Sequence, residues 1–78
     1  MNIYVGNISF QLEESGLEAA FGEFGTVDSA RIITDRATGR SKGFGFVEMP
    51  NESQAKVAMA KLHETRVAKN RIRVKIAQ

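Results

Sequence analysis

Lys42-Gly43-Phe44-Gly45-Phe46-Val47-Glu48-Met49 decides how this chain folds and what its surface offers. As a β-strand, the octet sends successive side chains to opposite faces. Lys42, Phe44, Phe46 and Glu48 then point one way, and Gly43, Gly45, Val47 and Met49 the other. The second face, small and aliphatic, suits close packing under helices. The first mixes two phenylalanines with a lysine and a glutamate, an unfavourable set to bury. Aromatic rings among charges on an uncovered sheet are what stacking on nucleic-acid bases requires.

Upstream, Val27 to Thr34 is β-branched enough for a strand, with Ala30 and Ile32 on one face and Arg31 and Ile33 on the other. The polar, glycine-containing segment Asp35 to Ser41 reads as the tip of a hairpin. Downstream, Pro50 stops the octet strand. Asn51 is a good N-cap with Gln54 at the matching third position, and Ala55, Ala58, Met59 and Leu62 form the apolar stripe of a helix. After the polar stretch His63 to Asn70, Arg71-Ile72-Arg73-Val74-Lys75-Ile76 alternates strictly, three aliphatics one way and three cations the other. This predicts a final strand. At the other end, Asn2-Ile3-Tyr4-Val5 alternates up to Gly6, the pattern of a half-buried strand. Leu17, Ala20, Phe21 and Phe24 fall at i, i+3, i+4 and i+7, predicting a helix over about residues 13–24 that Gly25 stops. Two starts are open for it. Ser15-Gly16-Leu17-Glu18 fits a capping box, whereas Glu13 and Glu14 suit a first turn that begins earlier; Gly16 weakens that turn in either case.

The order βαββαβ, with right-handed crossovers, predicts an α+β, ferredoxin-like sandwich: one four-stranded antiparallel sheet with both helices on the same face. The first and third strands become central neighbours in that arrangement. Tyr4 then lands beside Phe44 and Phe46 on the uncovered face, which Asn2 shares by alternation.

Composition sets the frame. Residues 1–78 suffice for one domain with one core, and no internal repeat or linker divides them. Apolar spacing begins at Ile3, so the expectation is a small stand-alone protein with a single module. A hydrophobic fraction of 42% and a charged fraction of 26% belong to an ordinary globular chain. The chain has no cysteine, which excludes disulfides and thiolate metal sites and permits a reducing compartment; the cytoplasm is expected, with the nucleus open in a eukaryote. No apolar run is long enough for a signal peptide or a membrane span. The net charge is only +2, but residues 1–30 carry five acids and no Lys or Arg. Residues 31–78 carry all 11 basic residues and four acids, a balance of +7. Together with an aromatic strand, this asymmetry points to a polyanionic ligand.

Ile3-Tyr4-Val5-Gly6-Asn7-Ile8 and Lys42 to Met49 resemble the two short motifs of the RNA recognition motif family, in that family's order and about forty residues apart. The resemblance covers essentially the whole chain, because Leu17, Phe21, Phe24-Gly25, Thr38-Gly39 and the terminal strand also fall where the family has similar residues. It implies that Tyr4 stacks under one base and Phe46 under its neighbour. Phe44 would lie against the sugars between them, and Lys42 would pair with a phosphate. Glu48, on the same strand, could accept a hydrogen bond from a base amino group. Arg71, Arg73 and Lys75 reach the same face from the edge strand, and Arg36 and Arg40 in the long loop are expected to close over it. Met49 departs from the family pattern by replacing the final aromatic, and by alternation it fills core volume.

The expected partner is single-stranded RNA, bound by a monomer; single-stranded DNA stays open, since stacking does not read the 2′-hydroxyl. No cofactor, metal or membrane partner is expected. An enzyme has little to stand on: a lone His63, no cysteine and no facing carboxylate pair supply no nucleophile with its base. His63 reads as a solvated residue after the second helix. Phe21 and Phe24 read as core, and Phe10 as packing near the entry to the first helix, with a contact at the rim of the binding face as the alternative. Gly43 and Gly45 lack the third glycine and the following helix that a dinucleotide-binding loop needs. The rival reading keeps the fold and uses the acidic first helix, with Glu13, Glu14, Glu18 and Glu23, to hold a partner peptide. Relatives that work so usually lose the sheet aromatics, and this chain keeps all three.

Overall fold

The computed structural model describes residues 1–77. Its elements are β1 (Asn2–Gly6), α1 (Glu14–Gly22), β2 (Ser29–Thr34), β3 (Ser41–Glu48), α2 (Glu52–Leu62), β4 (Arg66–Val67), β5 (Asn70–Arg71) and β6 (Arg73–Ile76). Four strands form an antiparallel sheet in the order β2-β3-β1-β6, and β4 with β5 makes a separate two-stranded ribbon. The sheet and its two helices form the ferredoxin-like sandwich that the alternation predicts.

Burial follows the two periodicities. Ile3 and Val5 of β1, Val47 of β3 and Val74 of β6 are buried in one cluster with Leu17 and Phe21 of α1 and Ala55 and Ala58 of α2. Met49 is fully buried in the same cluster, so the residue that departs from the family pattern does serve as core. Phe24 packs against this cluster from the side. The opposite sheet face carries no helix.

Local chemistry fixes the helix ends. The Asn51 carboxamide oxygen accepts from the Gln54 backbone N–H at 3.0 Å, capping α2 as expected. Gln54 does not close the reciprocal half of the box. Its own Oε1 accepts from the Thr26 N–H at 3.0 Å and so ties the start of α2 to the segment after α1. For α1 the earlier start holds: Glu13 occupies the N-cap position with no side-chain capping bond, and Ser15 lies inside the helix. The helix ends at Gly22, before Phe24, and Gly25 is not its left-handed terminator, because its φ of 159° is nearly extended. What Gly25 provides is room, since a Cβ there would run into the Gln54 side chain.

Three further features depart from the pattern reading. First, β2 begins at Ser29 and not Val27, and a bulge sets Lys42, Gly43 and Phe44 opposite Ile33 alone. Gly43 takes φ of +87° there, a conformation open to glycine and strained for other residues. Alternation along β3 therefore holds from Phe44 onward and breaks before it. Second, the final strand is interrupted. Arg71 belongs to β5, while Ile72 leaves the ladder, bonds to Thr65 and Glu64 and is buried. Third, Ile76 is 44% exposed where alternation predicts core.

The β4–β5 ribbon lies within a stretch that reads as merely polar. Val67 pairs with Asn70 across Ala68 and Lys69, whose φ values of 51° and 75° make a two-residue turn with both centres left-handed. Neither residue is the Asn or Gly that such turns prefer.

Both outer strands have one edge N–H occupied by a side chain. Glu14 Oε2 accepts from Ile32 N–H at 2.9 Å on β2, and His63 Nδ1 accepts from Val74 N–H at 3.0 Å on β6. These bonds blunt edges that could otherwise pair with another chain. His63 is therefore a half-exposed structural acceptor and not a freely solvated residue.

Candidate nucleic-acid interface

Strand register arranges the open face in rows. The central row runs Arg31, Phe46, Tyr4, Lys75 across β2, β3, β1 and β6. Two aromatic rings thus stand between two cations. On one side lies the row Ser29, Glu48, Asn2, and on the other the row Phe44, Gly6, Arg73. Tyr4, Phe44, Phe46, Glu48, Asn2, Arg73 and Lys75 are thereby brought together as alternation predicts. Arg31 joins them, although it was not among the expected site residues. Its signal was present in the alternation of β2, but only register with Phe46 shows that its face is the aromatic one.

The rings pack on one another and are half-buried rather than bare. The Tyr4 and Phe44 centroids lie 5.9 Å apart with planes inclined by 29°, and Phe46 meets both edgewise at 5.9 and 6.2 Å. Such offset and edge contacts hold the trio in a fixed arrangement. Gly6 makes this geometry feasible, because a Cβ there would fall 2.8 Å from Tyr4 Oη and 2.9 Å from Cε1. The tyrosine ring therefore lies along its own strand over a position that has no side chain. Lys75 Nζ sits 5.2 Å from the Tyr4 ring centroid, a cation–π contact.

Glu48 borders a groove of about 520 Å³ whose other walls are Asn2, Ser29, Arg31 and Phe46. Its Oε1 lies 3.9 Å from the Met1 ammonium, and its Oε2 is covered without a hydrogen-bond partner among the described residues.

The remaining expected residues lie apart. Lys42 is exposed across the bulge from Phe44, where alternation no longer assigns it a face. Arg36 and Arg40 are exposed in a turn that closes on itself: Asp35 Oδ1 accepts from the N–H groups of Ala37 and Thr38, and the Asp35 N–H donates to the Arg40 carbonyl. That local network holds the loop as a compact turn. Arg71 leaves the sheet with β5, and its carbonyl accepts from Asn7 Nδ2 at 2.8 Å. Asn7 has φ of 56°, a conformation asparagine tolerates, and its own carbonyl accepts from Asn70. Arg71 and Arg73 share a small cleft with Asn7 and Glu64. Phe10 is 75% exposed; it lies beside Gly43 and, with Leu12, Glu13 and Glu14, borders a groove at the entry to α1.

Among the described residues no group of three or more His, Cys, Asp or Glu side chains is placed to hold a metal ion, and no helix is long and apolar enough to cross a membrane.

Known proteins are similar to this chain in sequence and shape. The chain is 45% identical over 76 residues, 97% of its length, to the chloroplastic RNA-binding protein CP31B of Arabidopsis thaliana, of which it spans 26%. It is 40% identical over 75 residues, 96% of its length, to glycine-rich RNA-binding protein 1 of Mycosarcoma maydis, of which it spans 43%. Among solved structures, that of RNA binding protein PG1 superposes with a TM-score of 0.95 at 47% identity, covering 99% of this chain and 93% of that one. The Sex-lethal protein in complex with RNA superposes with a TM-score of 0.91 at 27% identity, covering 97% of this chain and 47% of that one. Residues 3–73 match the RNA recognition motif as a family, and with the paired motifs on β1 and β3 of this sandwich the chain belongs to it.

Proposed function

We propose that this chain binds single-stranded RNA by splaying two to four unpaired nucleotides across the open sheet face. The observation that carries the reading is the central row, in which Tyr4 and Phe46 are flanked by Arg31 and Lys75 on a surface no helix covers. Tyr4 and Phe46 serve as stacking platforms, and Phe44 lies against the sugars between them. Each stacked base contributes roughly 1–3 kcal/mol, and this term accepts any base. Arg31, Arg73 and Lys75 meet phosphates or base edges, and the exposed Lys42, Arg36, Arg40 and Arg71 add positive potential around the face. The names of the relatives support the same reading.

Duplexes bind poorly, because paired and stacked bases offer no free faces. Single-stranded DNA is accepted through the stacking term, and the monomer suffices, since one sheet holds the whole site. Glu14 of the acidic helix is engaged with Ile32 N–H, which weakens the case for that helix as a peptide dock.

Titration of a labelled single-stranded RNA pool tests the reading. Wild type binds, and Tyr4→Ala/Phe44→Ala/Phe46→Ala loses most of that affinity; equal binding by both at matched stability refutes it. With about three cations on phosphates, log K falls against log salt with a slope near −2, from roughly 0.7 per single-strand phosphate. A flat response would remove the cations from the interface.

A further inference from the structure

The groove beside Phe46 is chemically uneven. Three of its walls can donate hydrogen bonds: the Asn2 carboxamide, the Ser29 hydroxyl and the Arg31 guanidinium. The fourth polar wall is Glu48, whose ionised carboxylate can only accept. Register puts Glu48 next along β3 from the Phe46 platform on the same face, flanked by Ser29 and Asn2 on the neighbouring strands. At two residues along a strand, this is about 7 Å from the ring. One carboxylate oxygen faces the Met1 ammonium only loosely, at 3.9 Å, and the other is covered without a partner among the described residues. The Glu48 side chain is 38% exposed, and with Oε2 covered it is Oε1, too far from that ammonium for a hydrogen bond, that is left to accept from the groove.

We propose, resting on the RNA-binding reading above, that Glu48 makes the subsite beside Phe46 select a base carrying an exocyclic amino group and reject uracil. Guanine, adenine and cytosine each present an amino N–H that an unpartnered carboxylate oxygen can accept. Guanine also presents an adjacent imino N–H, and its O6 and N7 acceptors suit Arg31 across the row. Uracil presents its single imino N–H between two carbonyl oxygens, so a carboxylate facing it meets oxygen on at least one side. The donor walls tolerate uracil's carbonyls equally well, which leaves Glu48 as the discriminating group. Stacking on Phe46 supplies affinity at this position, and the carboxylate supplies choice.

Selection of bound sequences from a random single-stranded RNA library, followed by titration of the best oligomer with all four bases at each position, tests this. Wild type shows one position at which uridine binds roughly tenfold or more weakly than guanosine, the discrimination expected of one good base contact. In Glu48→Gln, whose amide can donate to a uracil carbonyl as well as accept, that gap shrinks to within about twofold. Uridine tolerated at every position by wild type, or a gap that survives Glu48→Gln, overturns the proposal while leaving RNA binding intact. Undiminished binding by Tyr4→Ala/Phe46→Ala would instead remove the sheet reading on which the proposal rests. The wild-type profile needs no variant, so the test stands even where Glu48→Gln perturbs folding.

Discussion

Gly6→Ala separates what this sheet needs to fold from what it needs to bind. An added Cβ would meet Tyr4 Oη at 2.8 Å, Cε1 at 2.9 Å and Cζ at 3.1 Å, against roughly 3.5–4.0 Å for ordinary contacts. The obstacle is the far end of a side chain, so the ring lifts by about 1 Å and the backbone stays. Replacing a strand glycine by alanine recovers roughly 0.5–1 kcal/mol of chain entropy. Disturbing the ring contacts of Tyr4 with Phe44 and Phe46 costs about as much, from roughly 0.5–1.5 kcal/mol per aromatic pair. Stability by urea unfolding should therefore stay within about 1 kcal/mol of wild type. Binding should not. A platform moved out of register forfeits most of a stacking term of roughly 1–3 kcal/mol, so RNA affinity by fluorescence anisotropy should fall about five- to a hundredfold. The loss acts through Tyr4, and in a Tyr4→Ala background Gly6→Ala should cost nothing further. Additive losses in that cycle, or wild-type affinity in the single variant, would refute the account of how the ring is seated.

Gly45→Ala is the opposite case. Its Cβ would strike the Arg31 carbonyl oxygen and come within 3.1 Å of Ile32 Cα, so β2 and β3 must separate. Overpacking of this kind costs about 1–3 kcal/mol, and a variant as stable as wild type in urea would contradict it. Ala68→Asn/Lys69→Gly supplies the residues that the left-handed turn favours and should stabilise by about 1 kcal/mol, raising Tm by roughly 4–8 °C. A lowered Tm would show that the turn is not of this kind. His63→Ala removes the acceptor of the Val74 N–H at a cost of roughly 0.5–1.5 kcal/mol. Amide hydrogen exchange should quicken at Val74 more than at core amides of β1; uniform quickening would mean that the bond has no local role.

Much of this surface was legible because strands declare their faces. Tyr4, Phe44, Phe46, Glu48, Arg73 and Lys75 could be placed from alternation, since both faces of the sheet carry contrasting residues. The Asn51 cap was equally readable, being a local bond between near neighbours. What stayed hidden depends on pairing between distant segments. The bulge at Gly43 follows from how β2 meets β3, and it withdrew Lys42 from the alternation. Arg71 left the sheet because β4 and β5 pair with each other, through a turn whose residues give no turn signal. Arg31 was seen on its strand but not as a neighbour of Phe46. The side-chain bonds from Glu14 and His63 to strand edges join residues 18 and 11 positions apart, beyond any sequence period.

The ammonium of Lys75 above Tyr4 covers the ring on which a base is proposed to stack. A flat apolar ring left uncovered invites adhesion, and a cation over it reduces the bare area. If a base stacks there as proposed, it evicts that guest, and the phosphate beside it is placed to rehouse it. On that reading occupancy is an exchange of tenants, and the lid and the clasp are one lysine.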